Sequence, residues 1–208
     1  MAAGKVITGF SYPTVAKYKA EGTNVTYTDG MRLARGVDVD LSVNTSEQSN
    51  FYADNRVAES DGGVFTDGKA TLTVDGLHSA AERFIQGLPE PEEVSYGGEK
   101  KAKFTKHGDK AAPPYVGIGF IIQYQSGGVT TYVPMILTKG KFPASGIKAE
   151  TQGEKKNYQT QTLEPSLFRD DTADHNWKWV GEDVSTEDEA LAIIDGILNV
   201  KPAAEVQS

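Results

Sequence analysis

Short pairs of turn-forming residues punctuate this sequence and separate runs in which apolar and polar residues alternate. The pairs are Asp29-Gly30, Asp61-Gly62, Asp67-Gly68, Asp75-Gly76 and Gly127-Gly128. Such pairs supply the positive φ angles that tight β-hairpin turns require, and an alternation of period two is typical of a half-buried strand. The sequence therefore predicts a mostly β fold, a β-sandwich or barrel-like domain.

The alternating runs predict where the strands lie. The clearest prediction is a hairpin over residues 115–142, where two runs rich in β-branched and aromatic residues flank a turn at 125–128. A second hairpin is predicted over 23–35, with its turn at Asp29-Gly30. Further strands are predicted at 37–44, 70–75, 157–165 and 176–180.

Two short helices accompany the strands. Residues 77–89 have apolar side chains at helical spacing and end with Gly87 and Pro89, which suit a helix C-terminus. Residues 185–199 begin with a capping Ser185 or Thr186, followed by three acidic residues and one apolar stripe. Both helices are apolar on one side, so we expect the first to pack on the sheet and the second to form a C-terminal helix.

The length and composition predict one domain over residues 1–200, followed by a flexible tail at 201–208. Three polar segments are expected to lie outside the core, at 44–69, 89–112 and 139–156.

The longest polar excursion, 44–66, contains Phe51 and Tyr52. Aromatic residues anchor interfaces while polar neighbours form the rim, so this segment is a candidate interface. The alternative is a plain surface loop whose aromatic rings fold back on their own subunit.

The net charge of −8 is unevenly distributed. Residues 164–208 contain eleven Asp and Glu against three Lys and Arg, whereas residues 1–163 contain eighteen of each. This acidic end argues against a nucleic-acid binder, which needs a basic face. The basic run 97–110 predicts a solvated loop, with contact to nucleic acid or to the acidic C-terminal segment as alternatives.

Cysteine is absent from the chain, which excludes disulfides and thiolate chemistry. The first ten residues lack the apolar core of a signal peptide, and no run approaches the roughly 20 apolar residues of a membrane helix. We therefore expect a protein that is made in a cytoplasm and does not insert into a membrane.

Motifs for catalysis are missing from the sequence. His78, His107 and His175 lack the spacing of metal ligands, and His78 suits a helix start. Residues 169–175, RDDTADH, lack the EF-hand pattern and are predicted to form a solvated acidic loop. The stretch GIGF at 117–120 lacks the third glycine of a dinucleotide fingerprint and indicates that another element packs closely there. We expect no catalytic residue, no cofactor, no metal and no enzymatic activity.

A combination of motifs resembles a known family. The sequence reads YADN, AES and a glycine-rich turn, then TLTVDGL and AERFIQGLP. GFSYPTVAKY precedes these motifs, and PYVGIGFIIQY, KGKFPASGIKAETQGEKKNYQTQTLEP and an acidic helix follow them. Their order and spacing, over roughly residues 5 to 200, resemble the major tail protein, or tail tube protein, family of long-tailed bacteriophages of Gram-positive hosts.

This resemblance implies a structural virion protein. Members of the family form hexameric rings that stack into the tail tube, which houses the tape measure protein and conducts DNA into the host. The implied location is the virion tail, assembled in the host cytoplasm. The implied partners are the protein itself, the tape measure protein, the tail terminator and distal tail proteins, and DNA in transient contact.

Within this framework, particular residues are expected at the two functional surfaces. The inter-ring interface is expected to include Phe51, Tyr52, Asp54 and Asn55. The lumen is expected to be lined by the polar faces of the strands, with Asp38, Asp40, Ser42, Thr71, Thr73 and Asp75.

Two other functions compete with this interpretation. A monomeric β-sandwich that binds carbohydrate or cell wall would use exposed aromatic residues as its platform. An enzyme with a dispersed site would require a pocket lined by perturbed carboxylates or histidines.

Overall fold

The computed structural model describes residues 4–144, 146–147, 149–151 and 158–201. This part of the chain is mostly β, as predicted. The strands are β1 (Val6–Glu21), β2 (Asn24–Arg32), β3 (Gly36–Thr45), β4 (Ser49–Ala53), β5 (Arg56–Asp61), β6 (Phe65–Val74), β7 (Glu92–Ser95), β8 (Lys101–Phe104), β9 (Val116–Ser126), β10 (Val129–Lys141), β11 (Gln161–Leu163), β12 (Ser166–Phe168) and β13 (Lys178–Val180). The helices are α1 (Ser79–Gln86) and α2 (Glu187–Leu198).

Nine of the strands form one antiparallel sheet. Its order is β3-β6-β12-β10-β9-β1-β2, with β11 beside β6 on the β12 side, and β13 beside β10. Although β1 and β3 stand far apart in this order, they contact each other, and Phe10 of β1 lies against Gly36 of β3. The sheet therefore folds over itself into a β-sandwich. Its first layer contains β2, β1, β9 and β10, and its second layer contains β3, β6, β11 and β12.

A bulge in β10 joins the two layers. Leu137 pairs with Ile118 of β9 and Gly140 pairs with Val116, so three steps along β10 match two along β9. An extra residue of this kind bends a strand. Before the bulge β10 pairs with β9, and residues 139–141 pair with β12 in the second layer.

An apolar core fills the space between the layers. Val15 and Ile118 enter it from the first layer, Ala70 and Leu72 from the second, and α1 adds Ile85. These side chains are fully or almost fully buried, and burying one large aliphatic side chain stabilises the fold by about 1.5–3 kcal/mol. The period-two alternation of β6 thus arises because one face of this strand lines the core.

The ends of α1 form as the sequence predicts. The Nδ1 atom of His78 accepts a hydrogen bond from the N–H of Ala81 at 3.2 Å, which caps the first turn. At the other end Gly87 adopts a left-handed conformation with φ 59°. His78 is therefore a capping residue in this fold.

A second apolar cluster lies between the outer face of the first layer and α2. Ala190, Ile194 and Leu198 of the helix are fully buried there, against residues that include Tyr27 and Ile121. Thr186 caps the helix by accepting the N–H of Glu189. The C-terminal helix thus packs against the sheet on the side away from the second layer.

The GIGF stretch is a site of close packing, as predicted. A Cβ atom at Gly117 would lie 2.4 Å from the ring of Tyr27, and one at Gly119 would lie 2.7 Å from Ile194 Cγ2. These glycines allow the ring and α2 to approach the backbone of β9.

Two predicted turns are instead parts of strands. The first hairpin turns at Gly22, and β2 runs through Asp29-Gly30, where three steps on β2 match two on β1. This bulge brings Gly30 so close to the end of α2 that a Cβ atom would lie 2.3 Å from the Leu198 carbonyl oxygen. Similarly, Asp67-Gly68 lies inside β6.

The segments predicted to lie outside the core are more ordered than expected. Segment 44–69 contains the hairpin β4/β5 and the start of β6, where Phe65 is buried and stacks on Trp177 with ring centroids 4.5 Å apart. Segment 89–112 contains the hairpin β7/β8.

The later segments are described only in part. In segment 139–156 Phe142 is buried, and residues 145, 148 and 152–156 lie outside the described part of the chain. Of the predicted strand 157–165, residues 161–163 form β11 and β12 follows it, while residue 157 lies outside the described part of the chain. The predicted tail at 201–208 lies outside the described residues after Lys201.

Candidate assembly interface

The hairpin β4/β5 contains the residues expected at the inter-ring interface. Asp54 and Asn55 form its turn, with φ angles of 51° and 60°, which is the positive-φ pair of a type I′ turn. Every residue from Ser42 to Val64 is exposed. In the described part of the chain β4 and β5 pair only with each other.

The two aromatic residues of β4 are uncovered. Phe51 is 65% exposed and Tyr52 is 63% exposed, which contradicts the alternative in which these rings fold back on their own subunit. Phe51 lies opposite Glu59, and Tyr52 lies opposite Val57. The pairing register shifts between Phe51 and Tyr52, which places a β-bulge at this point of the hairpin.

A polar face forms where β3 pairs with β6. Asp38 lies opposite Thr73, Asp40 opposite Thr71, and Ser42 opposite Lys69. Directly opposite residues share a face, so the residues predicted from two separate strands are neighbours. The other face of the same strands, with residues such as Leu72, lines the core.

The charge of this polar face is negative. Asp38 and Asp40 are exposed. Lys69 is paired with Glu164 at 2.7 Å, and the amide of Asn44 donates to Asp67 at 2.7 Å. The carboxylates therefore dominate the field that this face presents.

Asp75 has a different position from the other predicted lumen residues. It follows the last residue of β6 and accepts hydrogen bonds from the N–H and the Nε of Arg35, at 3.0 and 2.5 Å. The hydrogen bond from the Arg35 side chain is the main cause that lowers the pKa of Asp75. Asp75 thus ties the end of β6 to the residue before β3.

The outer edge of β3 is open in the described part of the chain, where β3 pairs with β6 alone. The N–H of Ala70 donates to the carbonyl of Pro165 at 3.0 Å, away from β3. Leu41 lies opposite Ala70. Because the N–H of Ala70 points away from β3, the two residues form a non-hydrogen-bonded pair. In such a pair the N–H and C=O of Leu41 also point away from β6. By alternation, the backbone polar groups of Val39 and Val43 point to the same open edge.

The loop 169–175 is mostly exposed, as the sequence predicts, but Asp170 within it is buried. Asp170 is buried and accepts hydrogen bonds from the N–H and Oγ1 of Thr172, at 3.1 and 2.5 Å. Asp171 accepts from Lys139 Nζ at 2.6 Å and from Tyr18 Oη at 2.8 Å. Among the described residues no group of three His, Asp or Glu side chains could hold a metal ion.

The basic run 97–110 contains the tip of the hairpin β7/β8, strand β8 and the loop that follows it, and most of the run is exposed, as predicted. Lys101 pairs with Glu93 at 3.2 Å and Lys106 pairs with Glu92 at 2.6 Å. These two lysines therefore have partners within the hairpin and not in the acidic C-terminal segment of the same copy.

The candidate surfaces were visible in the sequence to different degrees. The strand alternation predicted the polar face, and the run of polar residues around Phe51 predicted the exposed aromatic segment. The sequence did not indicate which strand carries an open edge, because this depends on pairing between distant strands. The hairpin β4/β5 did carry a signal, since Asp54-Asn55 is a pair that tolerates positive φ angles.

Comparison with known proteins does not identify a family. No protein-family model matches the chain, and no curated protein is significantly similar to it. In the described part of the chain neither α1 nor α2, with 8 and 12 residues, is long and apolar enough to span a bilayer.

Proposed function

We propose that this protein is the tail tube protein of a long-tailed bacteriophage, a structural protein that assembles into stacked hexameric rings. The tube houses the tape measure protein and conducts DNA into the host, and its ends contact the tail terminator and distal tail proteins. The observation that carries this proposal is the open edge of β3 beside a polar, exposed sheet face.

An open edge of this length favours assembly. β3 contains ten residues and presents unpaired N–H and C=O groups, which form a template for pairing with another chain. When two copies pair through different edges of their sheets, the contact between them is head-to-tail. Repeating this contact closes a ring if the rotation from one copy to the next allows it. Ring closure then leaves no copy with a free β3 edge.

The chemistry of the polar face suits the inside of such a ring. DNA carries closely spaced phosphates that bind cationic surfaces strongly. A bore lined by Asp38, Asp40, Ser42, Thr71 and Thr73 would repel phosphates and allow DNA to slide. α2 packs on the other side of the sandwich, so its acidic first turn would lie on the outside of the tube.

The hairpin β4/β5 supplies a contact between rings. It extends from the second layer, between β3 and β6, and exposes both aromatic rings. In a stack of rings, Phe51 and Tyr52 would be buried against the adjacent ring, with Asp54 and Asn55 at the tip. The number of six copies in each ring is implied by the family resemblance alone.

Carbohydrate binding by a monomer is the alternative function. It would use the exposed Phe51 and Tyr52 as its platform, and it predicts a monomer that binds glycans. An enzyme would need a pocket with perturbed acids. A surface cavity of about 630 Å³ is lined by Asp75 and Glu82, but the pKa of Asp75 is lowered, which is unsuitable for a general acid.

Concentration-dependent assembly tests the proposal. We expect negative-stain electron microscopy of the purified protein to show rings and hollow tubes as concentration rises, and sedimentation velocity to show the monomer replaced by large species. A protein that remains monomeric at every concentration, or that binds glycans as a monomer, would contradict the proposal.

A further inference from the structure

The hairpin β7/β8 carries its apolar side chains on one face, together with Glu92, which lies opposite Phe104 and pairs with Lys106. Val94 lies opposite Ala102, and Phe104 and Tyr96 lie on the same face at neighbouring positions. Val94, Tyr96 and Phe104 are all exposed. The opposite face carries charged residues such as Glu93 and Lys103. A hairpin with this pattern is expected to bury its apolar face against a partner.

The second uncovered apolar surface lies on α2. Ala190, Ile194 and Leu198 face the sheet and are buried, whereas the outward side of the helix exposes Ile193 and Ile197. We define the outer stripe by the exposed residues Glu189, Ala192, Ile193, Gly196 and Ile197. A Cβ atom at Gly196 would meet nothing within 4 Å, so the surface between the two isoleucines is open.

The charges beside these two surfaces have opposite signs. Asp188 and Glu189 are exposed in the first turn of α2. Lys100 is exposed at the tip of β7/β8, opposite Tyr96 and on the same face as Ala102. Within the described residues, the nine ion pairs include none of these three side chains. An apolar contact between the surfaces would therefore bring an unpaired lysine to unpaired carboxylates.

The partner that fits both surfaces is a second copy of this chain. The hairpin and the outer stripe are exposed in the same copy, so neither covers the other. Every copy carries one of each surface, which allows each hairpin to meet one helix in a closed ring. We propose that the β7/β8 hairpin of one copy docks on the outer stripe of α2 in a second copy, a contact that rests on the proposed assembly.

Cysteine crosslinking tests this contact, because the chain contains no native cysteine. The variants are Tyr96→Cys, Ile197→Cys and the double variant, each oxidised after assembly and analysed on a non-reducing gel. We expect the two single variants to crosslink as dimers when mixed and the double variant to give a ladder of higher oligomers. Val180→Cys, an exposed apolar position on β13, replaces Ile197→Cys in the control and should not crosslink with Tyr96→Cys.

Charge reversal provides an independent measurement. Lys100→Glu should raise the protein concentration needed for assembly severalfold, because like charges then face each other. Adding Asp188→Lys and Glu189→Lys should restore assembly, which a purely structural role of this lysine would not explain.

The outcomes separate this contact from the proposed function. If the unmodified protein forms tubes but cysteines at positions 96 and 197 do not crosslink, the hairpin–helix contact is overturned. The proposed function as a tube protein then still stands. If the unmodified protein forms no assembly under any condition, both the contact and the proposed function are overturned.

Discussion

Gly119 of β9 lies directly beneath Ile194 of α2, so that a Cβ atom on the glycine would lie 2.7 Å from Ile194 Cγ2. The same atom would lie 2.8 Å from Leu198 Cδ1. Both side chains are fully buried. The position of α2 on the sheet therefore depends on the absence of a side chain at residue 119.

Gly119→Ala should destabilise the protein by about 1–3 kcal/mol, because the added methyl group overpacks this interface. For a chain of this size each kcal/mol lowers the melting temperature by roughly 2–4 °C, which calorimetry can measure. Gly108→Ala is the matched control, since a Cβ atom there meets nothing within 4 Å. Equal melting temperatures for both variants would show that α2 tolerates the extra volume.

The sequence predicted those features that depend on local patterns. Each of these features depends on residues that are only a few positions apart in the sequence. They are the alternation in β6, the capping residues of α1 and the small residues under α2. Gly117 and Gly119 are an example, because glycine inside a strand indicates the close approach of another element. Both helices also lie close to their predicted positions.

The features that the sequence did not predict depend on distant partners. Asp29-Gly30 resembles a hairpin turn, but its glycine makes room for the Leu198 carbonyl, which lies far along the chain. Loop 169–175 is acidic and mostly exposed, as predicted, but the hydrogen bonds that Tyr18 and Lys139 donate to Asp171 come from distant strands. The open edge of β3 follows from the whole strand order, so no short stretch of sequence could reveal it.

Replacing the two aromatic residues of β4 tests the inter-ring contact. Phe51→Ser with Tyr52→Ser should abolish tube formation in electron micrographs, because the hairpin loses both anchors. The monomer should keep its circular dichroism and its free energy of unfolding to within about 0.5 kcal/mol, since exposed side chains contribute little to folding. The exchange Phe51→Tyr with Tyr52→Phe retains both rings and should assemble normally. Normal tubes from the serine variant would reject the assignment.

Charge reversal on the polar face tests the lumen assignment. Asp38→Lys with Asp40→Lys should leave assembly intact, because both side chains are exposed, but the tubes should retain double-stranded DNA in a salt-dependent manner. In an infectious particle the same change should slow genome delivery. Asp38→Asn with Asp40→Asn removes the charges without adding cations and should not retain DNA. Lysine-variant tubes that retain no DNA would place this face away from the bore.

The ion pair of Asp171 should make stability depend on pH. The hydrogen bond from Lys139 is the main cause that lowers the pKa of Asp171. Its contribution is fully present above the ordinary carboxyl pKa of about 3.9 and is lost as pH falls through the lowered value. Asp171→Asn should therefore unfold more easily at pH 7, and its difference from the unmodified protein in denaturant titrations should shrink below about pH 3.9. Asp174→Asn, at an exposed position of the same loop, is the control. A difference that stays constant with pH would exclude this ion pair as its source.

Proline at Val43 tests whether the edge of β3 joins the copies. Val43 lies opposite Gly68, and its N–H points to the open edge, as the alternation from Leu41 requires. Val43→Pro therefore removes an outward donor and no hydrogen bond to β6, and proline is tolerated on edge strands in this orientation. The side chain is exposed, so the monomer should remain folded while ring formation is lost in sedimentation velocity. Val43→Thr keeps the N–H and should assemble. Rings from the proline variant would show that this edge does not pair with another copy.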